Sequence, residues 1–169
     1  MTSRRLFFAL WPDDRQRDQL RNAISPVAKL VEGSAVYRGD WHITLAFIGD
    51  FAEQRIPELL TAAATIPVEP FRLRFDRAEF WPRPKVGVLA AQTVPSELAD
   101  LVAALNSVMA DAGVLVEEQR FRPHITFARR ARPFEKQPLA RPITVEWDRF
   151  ELIESVRERG GPAYRPVKQ

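Results

Sequence analysis

The feature that most constrains this chain is a tripeptide that occurs twice. His42-Ile43-Thr44 and His124-Ile125-Thr126 contain the only two histidines among the 169 residues. With 8 Ile and 7 Thr available, a given histidine would precede Ile-Thr by chance with a probability of about 0.002, which is a low false-positive rate for a short motif. The repetition therefore indicates two related halves that contribute equivalent side chains.

The segments that precede the two tripeptides also correspond. In each half a short apolar strand is followed by a helix that begins near a proline, and then by the strand that contains the tripeptide. Leu6 precedes His42 by 36 residues, and Val88 precedes His124 by the same 36 residues. This spacing predicts one domain over residues 1–169, built from two similar lobes of about 80 residues related by a pseudo-twofold axis.

The hydrophobic pattern supplies the elements of these lobes. Strands are predicted at 5–10, 41–48, 71–76, 85–91, 124–128 and 143–147, and helices at 13–31, 53–65 and 96–112. Pro26 is expected to kink or split the first helix. Residues 157–165 are predicted to be a charged tail with a turn at 160–162.

Composition excludes several kinds of chemistry. The chain has no cysteine, which excludes a disulfide scaffold, a cysteine-ligated metal site and a thiol nucleophile. Its net charge of +3 does not by itself indicate a nucleic-acid-binding protein. Arginine outnumbers lysine 21 to 4, which suits phosphate recognition and is also typical of GC-rich coding. No apolar run approaches the roughly 18–20 residues of a membrane span, so a soluble cytoplasmic protein is expected.

On a strand, each tripeptide presents its histidine and threonine together. Side chains at positions i and i+2 share a face of a strand. His42 and Thr44 therefore point one way, His124 and Thr126 do the same on their own strand, and the intervening isoleucines pack into the core. Two such strands would line a cleft with two imidazoles and two hydroxyls.

These groups suit acid–base chemistry on a phosphodiester. An imidazole, with a pKa of about 6.5, gains or loses a proton near neutral pH. One histidine as acid and the other as base predict a bell-shaped pH profile, and threonine hydroxyls can donate to phosphoryl oxygens. Three alternatives stay open: packed or surface histidines without a role, a metal site, and a non-catalytic nucleotide-binding module. Zinc would require a carboxylate that neither strand offers at i+2, and a serine hydrolase would require a Gly-x-Ser-x-Gly turn that the sequence lacks.

The residues around both tripeptides resemble a known family. Segments 5–10, 41–49 and 121–129, together with the ending at 150–155 and 160–164, are similar to the bacterial and archaeal RNA 2′,3′-cyclic phosphodiesterases, historically named 2′-5′ RNA ligases. These enzymes belong to the two-histidine phosphoesterase superfamily, and the resemblance covers almost the whole chain. It implies a bilobal α+β fold of pseudo-twofold symmetry, with two antiparallel sheets flanking a central cleft and helices on the outside.

The resemblance also implies a reaction. A terminal 2′,3′-cyclic phosphate of RNA is hydrolysed to a 2′-phosphate without metal or other cofactor, and 2′-5′ ligation is the related synthetic reaction. His42 is implied to be the proton donor and His124 the acceptor, although the residues alone do not decide that order, with Thr44 and Thr126 beside them. The implied partner is an RNA end, tRNA fragments included, bound by a monomer. A related interpretation is a phosphodiesterase for other small cyclic or 2′-5′-linked nucleotides.

Arg129 matches a family arginine that contributes to the phosphate site. It follows His124 by five residues, so on a regular strand it would face away from the cleft. It reaches the cleft only if the strand twists, bulges or ends before it.

Other aromatic and basic residues are candidates for RNA contacts, because aromatic rings stack on bases and arginines bind phosphates. The stacking candidates are Phe8, Tyr37, Trp41 and Trp81. The candidates for backbone contact, each just before a motif, are Arg38 and Arg122.

Overall fold

The computed structural model describes residues 2–116, 120–158 and 161–168, which form nine strands, three α-helices and two short 3-10 helices. The strands are β1 Ser3–Leu10, β2 Ser34–Ala35, β3 Ile43–Ala52, β4 Phe71–Trp81, β5 Val86–Ala90, β6 His124–Arg129, β7 Gln137–Trp147, β8 Glu151–Glu158 and β9 Gly161–Pro166. The α-helices are α1 Asp14–Ala28, α2 Ile56–Ala64 and α3 Ser96–Asp111, and the 3-10 helices are Arg38–Asp40 and Glu53–Arg55.

The strands form two antiparallel sheets. The first sheet has the order β3-β1-β8-β9, and the second has the order β2-β6-β5-β4-β7. β3 and β6, which contain the two tripeptides, belong to different sheets and lie in contact. The α+β architecture with two antiparallel sheets is therefore confirmed.

Each of the two longer helices covers the sheet of the other half. α1 follows β1 of the first sheet but packs against β6 and β7 of the second. α3 follows β5 of the second sheet but packs against β3 of the first. Its buried side chains recur every three or four residues, as a helix with one apolar face requires; they are Leu98, Leu101, Leu105 and Met109. This exchange of helices is the pseudo-twofold arrangement that the repeated spacing predicts.

The two faces of β1 separate the core from the cleft. Leu6, Phe8 and Leu10 point into a continuous apolar core that also includes the helices and the second sheet. Phe7 and Ala9 lie on the opposite face, in a second small cluster with Ile153 and the ring of Tyr164. On β1, the side chains of Phe7 and Ala9 therefore face the cleft, and those of Leu6, Phe8 and Leu10 face the core.

The first helix begins where the sequence predicts and ends earlier. The Asp13 carboxylate accepts a hydrogen bond from the Gln16 backbone N–H at 2.8 Å, and the Gln16 side chain accepts one from the Asp13 N–H at 2.8 Å. This capping box satisfies two of the free donors at the start of the helix. The helix continues through Pro26 and ends at Ala28, so the predicted split is wrong. Leu30, predicted on the buried face, is 70% exposed beyond the end of the helix.

The C-terminal segment is the largest departure from the predicted elements. Residues 157–165 are not a tail: β8 and β9 pair in antiparallel register from Ile153↔Pro166 to Glu158↔Gly161. Gly160, part of the predicted turn, lies outside the described residues. β9 forms the outer edge of the first sheet, where proline is tolerated, and its Gly161, Pro162 and Pro166 interrupt the apolar alternation by which a strand is recognised. Along the described ranges, no helix combines the length and the apolar composition that a membrane span requires.

Candidate active site

The two tripeptides face each other across one cleft. Ile43 and Ile125 are fully buried in the core, whereas the flanking histidines and threonines are partly accessible on the opposite face, as the alternation predicts. Thr44 from the first sheet and His124 from the second line the same cavity. The space between these two strands is called the cleft below.

The two imidazoles are held in the same way. Nδ1 of His42 lies 2.7 Å from the carbonyl oxygen of Asp40, and Nδ1 of His124 lies 2.7 Å from that of Arg122. Because a carbonyl oxygen only accepts, each Nδ1 carries a hydrogen, and the neutral ring keeps its lone pair on Nε2. Nε2 of His42 lies 3.1 Å from Oγ1 of Thr44. Each ring is thus fixed to exchange a proton through Nε2.

The environment favours the neutral form of both imidazoles. Burial lowers the pKa of His42 from 6.5 to about 4, and the positive charges of His124 and Arg129 add to that effect. Burial likewise lowers the pKa of His124, with the charge of Arg122 adding to it. An anion bound between the rings would act in the opposite direction, because a nearby negative charge favours the protonated form.

Aromatic rings account for this burial. The rings around His42, with the distances between ring centroids, are Tyr164 at 4.9 Å, Phe7 at 5.0 Å and Trp11 at 5.9 Å. The Trp81 ring lies 4.2 Å from that of His124, and the Arg122 guanidinium lies 4.8 Å from the Trp81 centroid. Each imidazole therefore has an aromatic wall on one side and the cleft on the other.

Both motif strands bulge at the same place, immediately after the threonine. The pairing of β3 with β1 skips Leu45, and the pairing of β6 with β5 skips Phe127. An extra residue reverses the alternation of side chains beyond it. The third residue after each threonine therefore returns to the cleft face, and these residues are Phe47 in β3 and Arg129 in β6. β6 thus bulges before Arg129, which is one of the conditions under which the sequence predicts that Arg129 reaches the cleft.

Arg129 extends toward the His42 side of the cleft. Its Nη2 donates a 2.8 Å hydrogen bond to the hydroxyl of Tyr164, and its charge contributes to the lowered pKa of His42. The backbone N–H of Tyr164 donates to Oδ1 of Asp40 at 3.4 Å, and Asp40 supplies the carbonyl that holds His42. Tyr164 thus connects the arginine of one sheet to the histidine of the other.

Comparison with known proteins identifies the family. The family model described as LigT like Phosphoesterase matches residues 10–90. The RNA 2′,3′-cyclic phosphodiesterase of Escherichia coli is 30% identical to this chain over 169 residues, which are 98% of this chain and 94% of that protein. The chain belongs to the LigT-like phosphoesterases. The RNA 2′,3′-cyclic phosphodiesterase of Thermus thermophilus is 28% identical over 98% of this chain and 88% of its own length.

Solved LigT structures share the fold. Escherichia coli LigT in apo form superposes with a TM-score of 0.86 at 30% identity, covering 99% of this chain and 96% of that one. Its complex with 3′-AMP gives the same TM-score of 0.86 and covers 97% of that chain. The bilobal fold implied by the sequence resemblance is thereby confirmed for this LigT-like phosphoesterase.

The stacking candidates divide between core and cleft. Phe8 is fully buried and Trp41 is 7% exposed, both in the main core, so neither offers a ring face to a base and the prediction is wrong for both. The alternation of β1 instead turns Phe7 toward His42. Trp81 does lie at the cleft, beside His124.

The remaining candidates for contact with RNA in this LigT-like phosphoesterase lie in different surroundings. Tyr37 is 75% exposed and packs beside Gly39. The Arg38 guanidinium lies 2.7 Å from the Asp18 carboxylate of α1, with which it forms an ion pair. Arg122 lies at the cleft beside His124, where its Nη2 donates to Oε1 of Glu79 at 3.0 Å.

Tyr164, Phe7 and Trp11 enclose His42, and the sequence did not predict any of them as a site residue. Tyr164 lies in the segment predicted to be a tail, and only its place in segment 160–164, which resembles the family, pointed to it. Within residues 2–116, 120–158 and 161–168, no group of three or more His, Cys, Asp or Glu side chains could hold a metal ion. Independence from metal stays a prediction, because the reaction itself has to test it.

Proposed function

We propose that this LigT-like phosphoesterase hydrolyses the 2′,3′-cyclic phosphate at the end of an RNA and leaves a 2′-phosphate. The observation that carries the proposal is the pair of imidazoles, each fixed through Nδ1 to a carbonyl two residues upstream. Both rings thereby keep Nε2 for proton exchange in one cleft. Two relatives bear the name RNA 2′,3′-cyclic phosphodiesterase, which supports RNA as the substrate.

The proposed step is an in-line displacement at phosphorus. A water oxygen forms a bond to phosphorus, and the bond from phosphorus to the ribose 3′-oxygen breaks. His124 takes the proton of the attacking water at Nε2, and His42 gives a proton from Nε2 to the departing 3′-oxygen. This order follows the resemblance of the first motif to the proton-donor motif of the family. The products are a 3′-hydroxyl and a 2′-phosphate.

The hydroxyls and the arginine act on the charge that develops. The nonbridging phosphoryl oxygens become more negative as water attacks, and donors fixed in advance stabilise them. Thr44 and Thr126 stand beside the two imidazoles, and Arg129 carries a permanent positive charge on the His42 side. We assign these three residues to the phosphoryl oxygens.

Binding of the substrate favours the protonated form of His42, the proposed acid. Burial holds the pKa of His42 at about 4 in the free protein, where it cannot serve as a donor at neutral pH. A bound phosphodiester carries a negative charge next to this ring, which raises its pKa and favours the protonated form. Binding and the supply of the proton are therefore coupled.

The same chemistry extends to ligation. When an RNA 5′-hydroxyl replaces water as the attacking group, the product is a 2′-5′ phosphodiester, and the step is reversible.

Every residue of the proposed site comes from one chain, so we propose a monomer as the active unit. RNA ends with a cyclic phosphate, those of tRNA fragments included, are its proposed partners.

Phosphorus NMR of an oligoribonucleotide with a cyclic phosphate end tests the proposal. The expected product is a 2′-phosphate, formed at the same rate with and without EDTA. His42→Ala and His124→Ala should each lower turnover by at least about 10², while circular dichroism shows that the fold is retained. Near-wild-type turnover in both variants, a 3′-phosphate product, or tight binding of the oligonucleotide without turnover would overturn it. Faster turnover of a cyclic mononucleotide than of the RNA end would favour the small-nucleotide interpretation.

A further inference from the structure

A tryptophan and an arginine follow one another outward from His42. The Trp11 ring stacks on the imidazole at an interplanar angle of 28°, with 5.9 Å between the centroids. The Arg17 guanidinium, from the first turn of α1, lies 5.4 Å from the centroid of that same tryptophan ring. Because a cation is attracted to the face of an aromatic ring, Arg17 stabilises Trp11 in its position beside the imidazole.

The second half of the molecule has the same series of contacts. The Trp81 ring lies 4.2 Å from that of His124, and the Arg122 guanidinium lies 4.8 Å from the Trp81 centroid. Arg122 also supplies the carbonyl oxygen that accepts a hydrogen bond from Nδ1 of His124. In this half, one residue therefore both contacts the tryptophan and fixes the imidazole.

In the first half these two tasks belong to different residues, and Arg17 connects them. The carbonyl that accepts from Nδ1 of His42 belongs to Asp40, the last residue of the 3-10 helix Arg38–Asp40. Nη2 of Arg17 donates to the carbonyl oxygen of Gly39 at 3.4 Å, one residue before Asp40. The guanidinium thus contacts both the ring that packs on the imidazole and the 3-10 helix that orients it.

A second arginine docks the same 3-10 helix on α1. Nη2 of Arg38 donates to Oδ1 of Asp18 at 2.7 Å and to the carbonyl oxygen of Asp14 at 3.4 Å. Arg17 extends from α1 to the 3-10 helix, and Arg38 extends from the 3-10 helix to α1. The pair of Arg38 with Asp18 is exposed, and exposed ion pairs contribute little stability.

Burial distinguishes Arg17 from Arg38. The Arg17 side chain is 12% exposed, and the carboxylate of Asp14, its ion-pair partner, is 3.7 Å away and 98% exposed. Burying a cation costs free energy unless the cation is well paired, and burial accordingly lowers the pKa of Arg17. This ion pair does not explain why the side chain is buried. Its burial instead provides the contacts with Trp11 and Gly39.

We propose that Arg17 is a positioning residue for His42 and the counterpart, in the first half, of Arg122. It keeps Trp11 against the imidazole, and it keeps the Asp40 carbonyl where it accepts from Nδ1, so that Nε2 faces the phosphodiester. In this role Arg17 does not touch the substrate. The inference rests on the proposed function, because it assigns the support of the proposed acid.

Heteronuclear NMR of the histidine ring nitrogens in the free protein tests the positioning directly. In the wild type, Nδ1 of His42 should be protonated and Nε2 unprotonated at neutral pH, because the carbonyl fixes that tautomer. In Arg17→Ala the Asp40 carbonyl is no longer held, so the two nitrogen signals of His42 should move toward an average of both tautomers. The signals of His124 should stay unchanged.

The same spectra measure the pKa of His42. In Arg17→Ala water reaches the ring, so this pKa should rise from about 4 toward 6.5. The cations that lower it, His124 and Arg129, are retained in the variant. A rise would therefore report the access of water to the imidazole.

Turnover of the oligonucleotide with a cyclic phosphate end supplies the second measurement. Arg17→Ala should lower kcat by about 10- to 100-fold, the range expected when a reacting group is slightly misplaced, and leave KM unchanged. Arg17→Lys keeps a cation near Trp11 but lacks the planar fork that also reaches Gly39, so it should recover only part of kcat. Arg15→Ala, which removes an exposed arginine of α1, is the matched control and should behave as the wild type in both measurements.

The NMR outcome is independent of the proposed function. An unchanged tautomer and pKa of His42 in Arg17→Ala would overturn the inference, and so would equal changes at His42 and His124, which would indicate a general loosening of the fold. A raised KM with an unchanged kcat would show that Arg17 binds the substrate and would refute the positioning role. If the wild type does not turn over the oligonucleotide, the proposed function fails, and a change confined to His42 still supports the positioning. If Arg17→Ala does not fold, the same measurements on Arg17→Lys decide.

Discussion

Arg129 donates a 2.8 Å hydrogen bond to the hydroxyl of Tyr164, and the two residues come from different sheets. Arg129 ends β6 of the second sheet, and Tyr164 lies on β9 at the edge of the first. The Tyr164 ring also packs edge-on against His42, with 4.9 Å between the centroids. One tyrosine therefore contacts both Arg129, the proposed ligand of the phosphate, and the imidazole of His42.

Tyr164→Phe should separate these two functions. The ring contact with His42 stays, while Arg129 loses its acceptor, so kcat/KM should fall by about tenfold or more, as loss of a hydrogen bond to a charged group predicts. The measurement is kcat and KM for the cyclic phosphate oligonucleotide in Tyr164→Phe, Arg129→Ala and the double variant. Coupled residues give a double variant little worse than Arg129→Ala alone; losses that multiply would mean that the tyrosine does not act through the arginine.

The pH dependence of turnover should lie on the acid side of an ordinary imidazole. The profile of kcat/KM reports groups of the free enzyme, and the pKa values of both histidines are lowered, that of His42 to about 4. Both limbs of the bell should therefore fall below pH 6.5. The profile of kcat, which reports the complex, should have its alkaline limb at higher pH, because the bound anion raises the pKa of the acid. Alkaline limbs at the same pH in the two profiles would contradict the proposal that substrate binding raises the pKa of His42.

Stability should depend on pH through the same buried ring. A histidine whose pKa is lower in the folded protein than in the unfolded chain binds its proton more weakly when folded, so protonation favours unfolding. His42 thus contributes stability fully above pH 6.5, and that contribution is lost as the pH falls from 6.5 toward about 4. As the pH is lowered from 7 to 4, the melting temperature of His42→Gln should fall less steeply than that of the wild type. Parallel curves would show that the ring titrates normally in the folded protein.

The sequence predicted which histidines and threonines share the candidate site, and it missed the side chains that surround them. The facing pairs His42 with Thr44 and His124 with Thr126 follow from a period of two, which any regular strand obeys. Arg129 required a bulge after Thr126, and a bulge leaves no mark in the apolar pattern. The sequence also does not tell whether Phe7 or Phe8 faces the cleft, because in an apolar strand that is buried on both faces the two sides have the same pattern.

Tyr164 was beyond reach for a different reason. It lies on a short edge strand of sequence Gly-Pro-Ala-Tyr-Arg-Pro, which shows no apolar alternation. Its contacts reach back to Asp40 and Arg129, far away in the sequence. Contacts of that kind follow from the order of strands in the sheets. Neither propensity nor spacing specifies that order. The family resemblance of segment 160–164 points to Tyr164, and the structure supplies its contacts.

Trp81 should control the proton affinity of the second histidine. Its ring lies 4.2 Å from that of His124, and burial is the main reason that the pKa of His124 is lowered. Trp81→Ala admits water to one face of the imidazole, so the pKa of His124 should rise toward 6.5, while that of His42 changes little because other rings enclose it. The chain has only two histidines, so proton NMR titration of their ring hydrogens follows both, and His42→Gln assigns the signals. Equal shifts at both histidines would indicate a general loosening of the cleft, and no shift at His124 would show that the tryptophan does not shield it.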